Sequence, residues 1–178
     1  MMNYLHGRSA RLLAITLLSL GLLACGKQEE DDVAREPVAF HEEDSCHVCG
    51  MVISEFEGPK GQSVGNDGVR KFCSTAEMLG WWLQPENRIS DASLFVHDMG
   101  QSEWGAPDDA HLVDAKQAYY VIDIPLQGAM GATLASFADE SAAQALAEEH
   151  GGRVLRFEDI DQDVLQQAAS TQHGQSMH

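Results

Sequence analysis

Sulfur is where this sequence could do chemistry. Cys46-His47-Val48-Cys49-Gly50-Met51 puts two thiols and a thioether within six residues. A Cys-x-x-Cys pair alone fits a redox dithiol, half of a zinc site or a plain disulfide. The redox reading wants the first cysteine at a helix N-terminus, where the dipole lowers its pKa. Here Val52 and Ile53 follow, with no capped amphipathic run. The zinc reading wants a second Cys-x-x-Cys or His-x-His pair, and the chain has none. Cys73 and a histidine could complete a zinc set only through tertiary folding. A Cys46–Cys49 disulfide stays open. Met51 shifts the balance, because a thioether is a poor zinc ligand and a good Cu(I) ligand. In an extended segment, residues i and i+2 share a face, so Cys49 and Met51 would project together. The competing role for Met51 is core filling. Met130 lies between Gly128 and Gly131 at a predicted turn, where an apolar side chain gains little from burial. If the two halves of the chain pack together, it could complete a three-sulfur, anionic Cu(I) site with Cys49 and Met51. Cys46 is a further thiolate candidate or the redox partner of Cys49.

Other candidates are weaker. His47, His97 and His111 read first as surface or hydrogen-bonded residues. His173, Met177 and His178 could collect metal in a tail that reads as solvated. The sequence holds no G-x-S-x-G, no H-E-x-x-H and no phosphate-cradling glycine loop, so no enzyme is predicted.

These sulfurs need elements to position them. Gln62 to Val64 and Val69 to Phe72 flank Gly65-Asn66-Asp67-Gly68, the pattern of a β-hairpin. Ser74-Thr75-Ala76-Glu77 has capping-box spacing, so a helix should follow through Leu83 and stop before Pro85. Ser93 to His97 reads as a strand. The order then repeats. Ala118 to Ile124 and Thr133 to Phe137 are strands around the Met130 turn. Asp139 caps a helix that ends at His150-Gly151-Gly152. Arg153 to Phe157 closes the unit, and Asp161 to Ala169 forms a last short helix. The expectation is an α+β fold of two small ββαβ-like units packed into one domain, preceded by a cleaved signal and a disordered tether. The competing class is a parallel α/β sheet; the hairpins and short segments count against it.

The ends carry targeting information. Arg8 and Arg11, the apolar run Leu12 to Leu23, and Ala24 before Cys25 form a secretory signal over residues 1–24. The run is about a dozen residues against about 20 for a span. Leu22-Leu23-Ala24-Cys25 matches a lipobox, which makes Cys25 the lipid attachment point, and acyl chains there anchor without a span. Residues 25–40 read as a lipidated tether, 41–169 as the metal-binding domain and 170–178 as a disordered tail. The chain has 11 basic and 28 acidic residues. Losing the signal leaves 9 basic against 28 acidic, a net charge of −19. Such a polyanion excludes nucleic acid and suits cations or a basic protein surface. With Cys25 lipidated, three thiols remain in an oxidising compartment, and an odd thiol there needs a reason.

The sequence resembles the NosL family of lipoproteins. The resemblance spans about Phe40 to Asp159 and rests on Cys46-His47-Val48-Cys49-Gly50-Met51, Lys71-Phe72, Ala118-Tyr119-Tyr120-Val121, Met130-Gly131, Phe137 and Gly151-Gly152. It implies a periplasmic Cu(I) chaperone that helps assemble the copper centres of nitrous oxide reductase. It implies Cys49, Met51 and Met130 as ligands and a pair of ββαβ-like units. The implied partners are the copper-free reductase and its membrane maturation machinery. Gly26 after the lipid cysteine points to the outer membrane, by analogy with lipoproteins generally. Two features depart from the family pattern. Ala129 stands where family members often carry proline, and Cys73 lies where the family implies no ligand. Cys73 is left as a spare thiol, a core residue or an extra ligand. Rival readings are a thiol–disulfide oxidoreductase using Cys46 and Cys49, a zinc-binding lipoprotein, and an acidic lipoprotein whose cysteines form only a disulfide.

Overall fold

The first hairpin forms where glycine, asparagine and aspartate allow a tight turn. A computed structural model describes residues 35–88, 91–131 and 134–175, with side chains to residue 170. The signal segment, Cys25 and Ser176 to His178 lie outside the described residues. Strands β1 (Gly61–Gly65) and β2 (Gly68–Phe72) pair antiparallel, with Gly65 opposite Gly68. Gly68 sits at φ +122, a conformation that side chains resist. Helix α1 (Thr75–Trp82) follows, capped by the Ser74 hydroxyl, which accepts the Glu77 N–H at 3.1 Å. A one-turn helix, α2 (Pro85–Arg88), starts on proline, whose missing N–H costs nothing at a first helical position. Strand β3 (Ser93–His97) returns beside β1, and β4 (Leu112–Asp114) adds to its far edge. The sheet order is β2-β1-β3-β4. Strand β4 was not expected: three residues carry no readable alternation.

The second unit repeats the plan. Strand β5 (Tyr119–Ile122) pairs with β6 (Ala135–Phe137) and with β7 (Arg153–Arg156), in the order β6-β5-β7, with α3 (Glu140–His150) between β6 and β7 in sequence. Asp139 caps α3 and Gly151 ends it in the left-handed conformation, as the sequence predicts. In each unit the first strand is central. The two-unit α+β expectation therefore holds, as antiparallel sheets rather than a parallel one.

Burial shows how the units join. Tyr120 and Ile122 enter a core shared with Phe72, Met78, Leu79, Leu94 and Val96 of the first unit. Val121 faces the other way, into a smaller core under α3 with Phe137, Ala143 and Ala147. Each fully buried large side chain contributes about 1.5–3 kcal/mol. Across the seam, the Ser136 hydroxyl donates to the His97 carbonyl at 2.7 Å, and the Met99 N–H donates to the Ser136 carbonyl at 2.8 Å.

Two boundaries differ from expectation. The tether was expected to reach residue 40, but the chain is pinned from Arg35. Arg35 pairs with Asp91 at 2.7 Å, and Gln62, fully buried, exchanges two hydrogen bonds with the Val38 backbone, both 2.8 Å. The Phe40 N–H donates to Asp109 at 2.7 Å, and its ring lies 5.3 Å from that of His97. A polar segment is held here by a buried amide, which composition does not reveal. At the other end, α4 (Gln162–Gln175) outruns the expected stop at Ala169.

Candidate metal centre

Backbone hydrogen bonds, not a strand, shape the cysteine loop. The Cys46 N–H donates to the Met51 carbonyl at 2.8 Å, and the Gly50 N–H donates to the Cys46 carbonyl at 2.9 Å. Ser45 and Val52 bridge across the base. Gly50 takes φ +73, so the stretch from Cys49 to Met51 is not extended, and the same-face argument for that pair does not apply. The loop is tied to β2 by the His47 N–H, which donates to the Lys71 carbonyl at 2.8 Å. Two residues past that carbonyl comes Cys73, between the end of β2 and the cap of α1.

This tie brings three thiols together. The Sγ atoms of Cys46, Cys49 and Cys73 all lie within 4.8 Å of one another, and those of Cys49 and Cys73 are 3.7 Å apart. Metal–thiolate bonds of about 2.3 Å place sulfurs on one ion roughly 4 Å apart, so the spacing suits a shared ion. It is the one cluster of three or more His, Cys, Asp or Glu ligand atoms among the described residues. Cys46 and Cys73 are buried and Cys49 half-buried, so the group opens outward at Cys49. All three are free thiols.

The electrostatics differ across the cluster. Burial pushes the Cys46 thiol up, but the N–H groups of Cys49, Cys73 and Val48 around its sulfur outweigh that and hold it below the usual range. Burial pushes Cys73 strongly up, reinforced by the neighbouring Cys46 and Cys49 sulfurs. Lys60 is the nearby cation. Its ammonium donates to the Phe56 carbonyl at 2.5 Å and the Glu57 carbonyl at 3.0 Å. Burial brings its pKa down to about 8, opposed by the charges of Cys73 and Glu57.

Neither methionine serves as core. Met51 is 40 % exposed and Met130 52 % exposed. Met130 also holds φ +60, a conformation a long side chain adopts only when its surroundings enforce it. They do so through Ala129, buried in the main core, and through the Trp104 indole, which donates to the Gln127 carbonyl at 2.7 Å. The loop is fixed without a proline at 129. Met130 and Val48, the neighbour of Cys49, line one groove. The two sulfur-bearing loops thus come from different units and meet one surface.

The histidines fall elsewhere. The His47 ring lies edge-on to Phe72 and Trp81, each at 5.8 Å. His97 is buried: its Nδ1 accepts the Lys60 N–H at 3.1 Å, so Nε2 carries the proton toward Asp109, also at 3.1 Å. His111 closes the short turn before β4. Sequence reasoning left the role of Cys73 open. The usable signal was the odd thiol count, but its partners could be found only from the fold.

A family model described as NosL matches residues 37–165. This chain belongs to the NosL family. It is 64 % identical over 177 residues to the copper-binding lipoprotein NosL of Stutzerimonas stutzeri, covering 99 % of this chain and 93 % of that protein. It is 32 % identical over 162 residues to the copper-binding lipoprotein NosL of Achromobacter cycloclastes, covering 86 % and 81 %. The crystal structure of the copper chaperone NosL from Shewanella denitrificans superposes with a TM-score of 0.70 at 37 % identity, covering 73 % of this chain and 98 % of that one. The family resemblance read from the cysteine motif and the Met-Gly turn is thereby borne out. Among the described residues, no helix is long and apolar enough to cross a membrane.

Proposed function

We propose that this NosL-family chain is a Cu(I) chaperone on the periplasmic face of a bacterial membrane, delivering copper for assembly of the copper centres of nitrous oxide reductase. It is a carrier, not an enzyme. Cys25 holds it to the membrane, the outer membrane on the sequence reading, as the first residue after a cleaved signal over residues 1–24. Residues 26–34 act as the tether. Cys49 is the central ligand, because it alone among the three thiols reaches toward solvent. Met51 and Met130 supply thioethers that can hand copper on by ligand exchange. Cys46 and Cys73 supply further thiolates from below. The observation that carries this reading is the three-thiol cluster, with Met51 exposed two residues after Cys49 and Met130 exposed on the groove that Val48 also lines. Soft sulfur donors of this kind select Cu(I) over harder ions. Copper-free reductase and its membrane maturation machinery are the recipients.

The test is an anaerobic Cu(I) titration of the reduced protein against a Cu(I) chelator, with Met51→Leu, Met130→Leu and Cys73→Ala in parallel. Leucine keeps the bulk and removes the sulfur. Each variant should lose more than the ~10-fold that even an outer supporting contact to a metal site is worth. A wild-type chain that cannot compete with the chelator overturns the copper reading. Unchanged affinity in one variant removes that residue from the ligand set.

A further inference from the structure

Beside the cysteine loop runs an open groove of about 600 Å³. Val48, Trp81, Met130 and Leu165 give it apolar walls, drawn from the cysteine loop, α1, the Met130 loop and α4. Val48 is 53 % exposed and Met130 52 %, so both apolar side chains stand bare at its edge. Apolar side chains clustered in a concave surface mark binding sites.

Its charge is one-sided. Glu77 and Asp163 line the groove, and among the described residues no lysine or arginine does. Glu77 occupies the third position of α1, where a capping box would send its carboxylate back to the Ser74 N–H. Only the forward half of that box forms, from the Glu77 N–H to the Ser74 hydroxyl. Among the described residues no cation pairs with Glu77 or Asp163. Arg70 sits over the Trp81 ring at 5.5 Å, but its guanidinium is paired with Asp67 at 2.6 Å. Burial pushes the Glu77 carboxyl above its usual range, the mark of a partly desolvated acid without a compensating charge.

We propose that this groove is the docking site for the copper acceptor, and that it takes a segment with an apolar anchor flanked by lysine or arginine. The identity of the occupant as acceptor rests on the chaperone reading above. Its chemistry follows from charge complementarity: an apolar floor, two acids that no cation among the described residues pairs with, and a net charge of −19 on the mature chain. Opposite charges steer encounter and fix register, while a partly buried aromatic such as Trp81 supplies binding energy once a partner covers it. A segment seated there would lie against Val48 and Met130, and so beside the sulfur-bearing loops. Docking and metal hand-over then share one surface.

The test uses the full mature lipoprotein in detergent. Its binding to copper-free nitrous oxide reductase and to the solubilised maturation machinery is measured at low and high salt, with and without Cu(I). The groove variant is Glu77→Lys with Asp163→Lys. The control is Glu148→Lys with Glu149→Lys, which changes the net charge equally on the exposed side of α3. The groove variant should bind at least about tenfold more weakly and lose most of its salt dependence, whereas the control should change little. Because lysine early in α1 opposes the helix dipole, Glu77→Gln with Asp163→Asn is run beside it and should weaken binding in the same direction. Equal effects of groove and control reversals overturn the proposal, as does a wild-type chain that binds neither acceptor. Cu(I) affinities of the same variants separate the two readings. Normal copper binding with groove-indifferent docking overturns only the groove. Groove-dependent docking by a chain that holds no Cu(I) overturns only the copper reading.

Discussion

At the scale of single residues, protons decide much of the behaviour. On the proposed ligand set, copper displaces whatever protons the three cysteine sulfurs carry. Cys73, pushed well above the ordinary thiol range by burial and by its neighbours, holds its proton harder than Cys46 does. Cu(I) affinity should therefore fall as pH is lowered from 8 to 6, with proton release on loading. Chelator competition across that range checks it; a flat profile would exclude thiolate ligation. His97 gives a second pH effect, on stability. Burial lowers its pKa below 6.5, opposed by Asp109. The unfolded chain then binds the proton more readily, so the stabilisation is present above pH 6.5 and is lost as pH falls toward the folded value. Urea midpoints should drop from pH 7 to 5.5, and less so in His97→Gln, which can keep both hydrogen bonds and cannot titrate. Equal slopes in the two proteins would rule His97 out as the cause.

At the scale of elements, close approach does the positioning. Gly152 opens β7 beside β5, and a Cβ there would stand 2.6 Å from the Ile122 carbonyl oxygen and 2.6 Å from Ile124 Cγ2. The carbonyl belongs to a paired strand and cannot step aside. Gly152→Ala should cost about 1–3 kcal/mol, read as a shift in urea midpoint. Gly151→Ala meets open space and pays only for its left-handed φ of +74, about 1–2 kcal/mol. The reverse ranking would show that the strand gives way. The sequence was most legible where the cause is local. The Gly65-Asn66-Asp67-Gly68 turn, the Ser74 and Asp139 caps and the Gly151 stop each depend on a few adjacent residues, and each formed as read. Strand β4 was not legible, since it exists only because β3 offers an edge. The Cys49–Met51 geometry was misjudged because Gly50 could turn the chain, which spacing alone does not disclose. Cys73 joined the cluster through a backbone bond between His47 and Lys71, a contact across 24 residues of sequence.

At the scale of the whole molecule, the domain begins earlier than its composition suggests. Both polar atoms of the buried Gln62 side chain are satisfied by the Val38 backbone, their one hydrogen-bond partner among the described residues. A mature chain shortened to begin at His41 should leave that amide unpaired and lose about 1–3 kcal/mol against one beginning at Ala34. Equal melting of the two would mean that water replaces Val38. Larger still is the consequence of β5, whose Tyr120 and Ile122 serve one core and Val121 the other. A strand that is structural for both units gives them a common opening equilibrium. An ion gripped by Cys49 of the first unit and Met130 of the second would close that equilibrium from both sides. In heavy water, the amides of Tyr120 and Val121 should then exchange more slowly once copper is bound, although neither residue carries a sulfur.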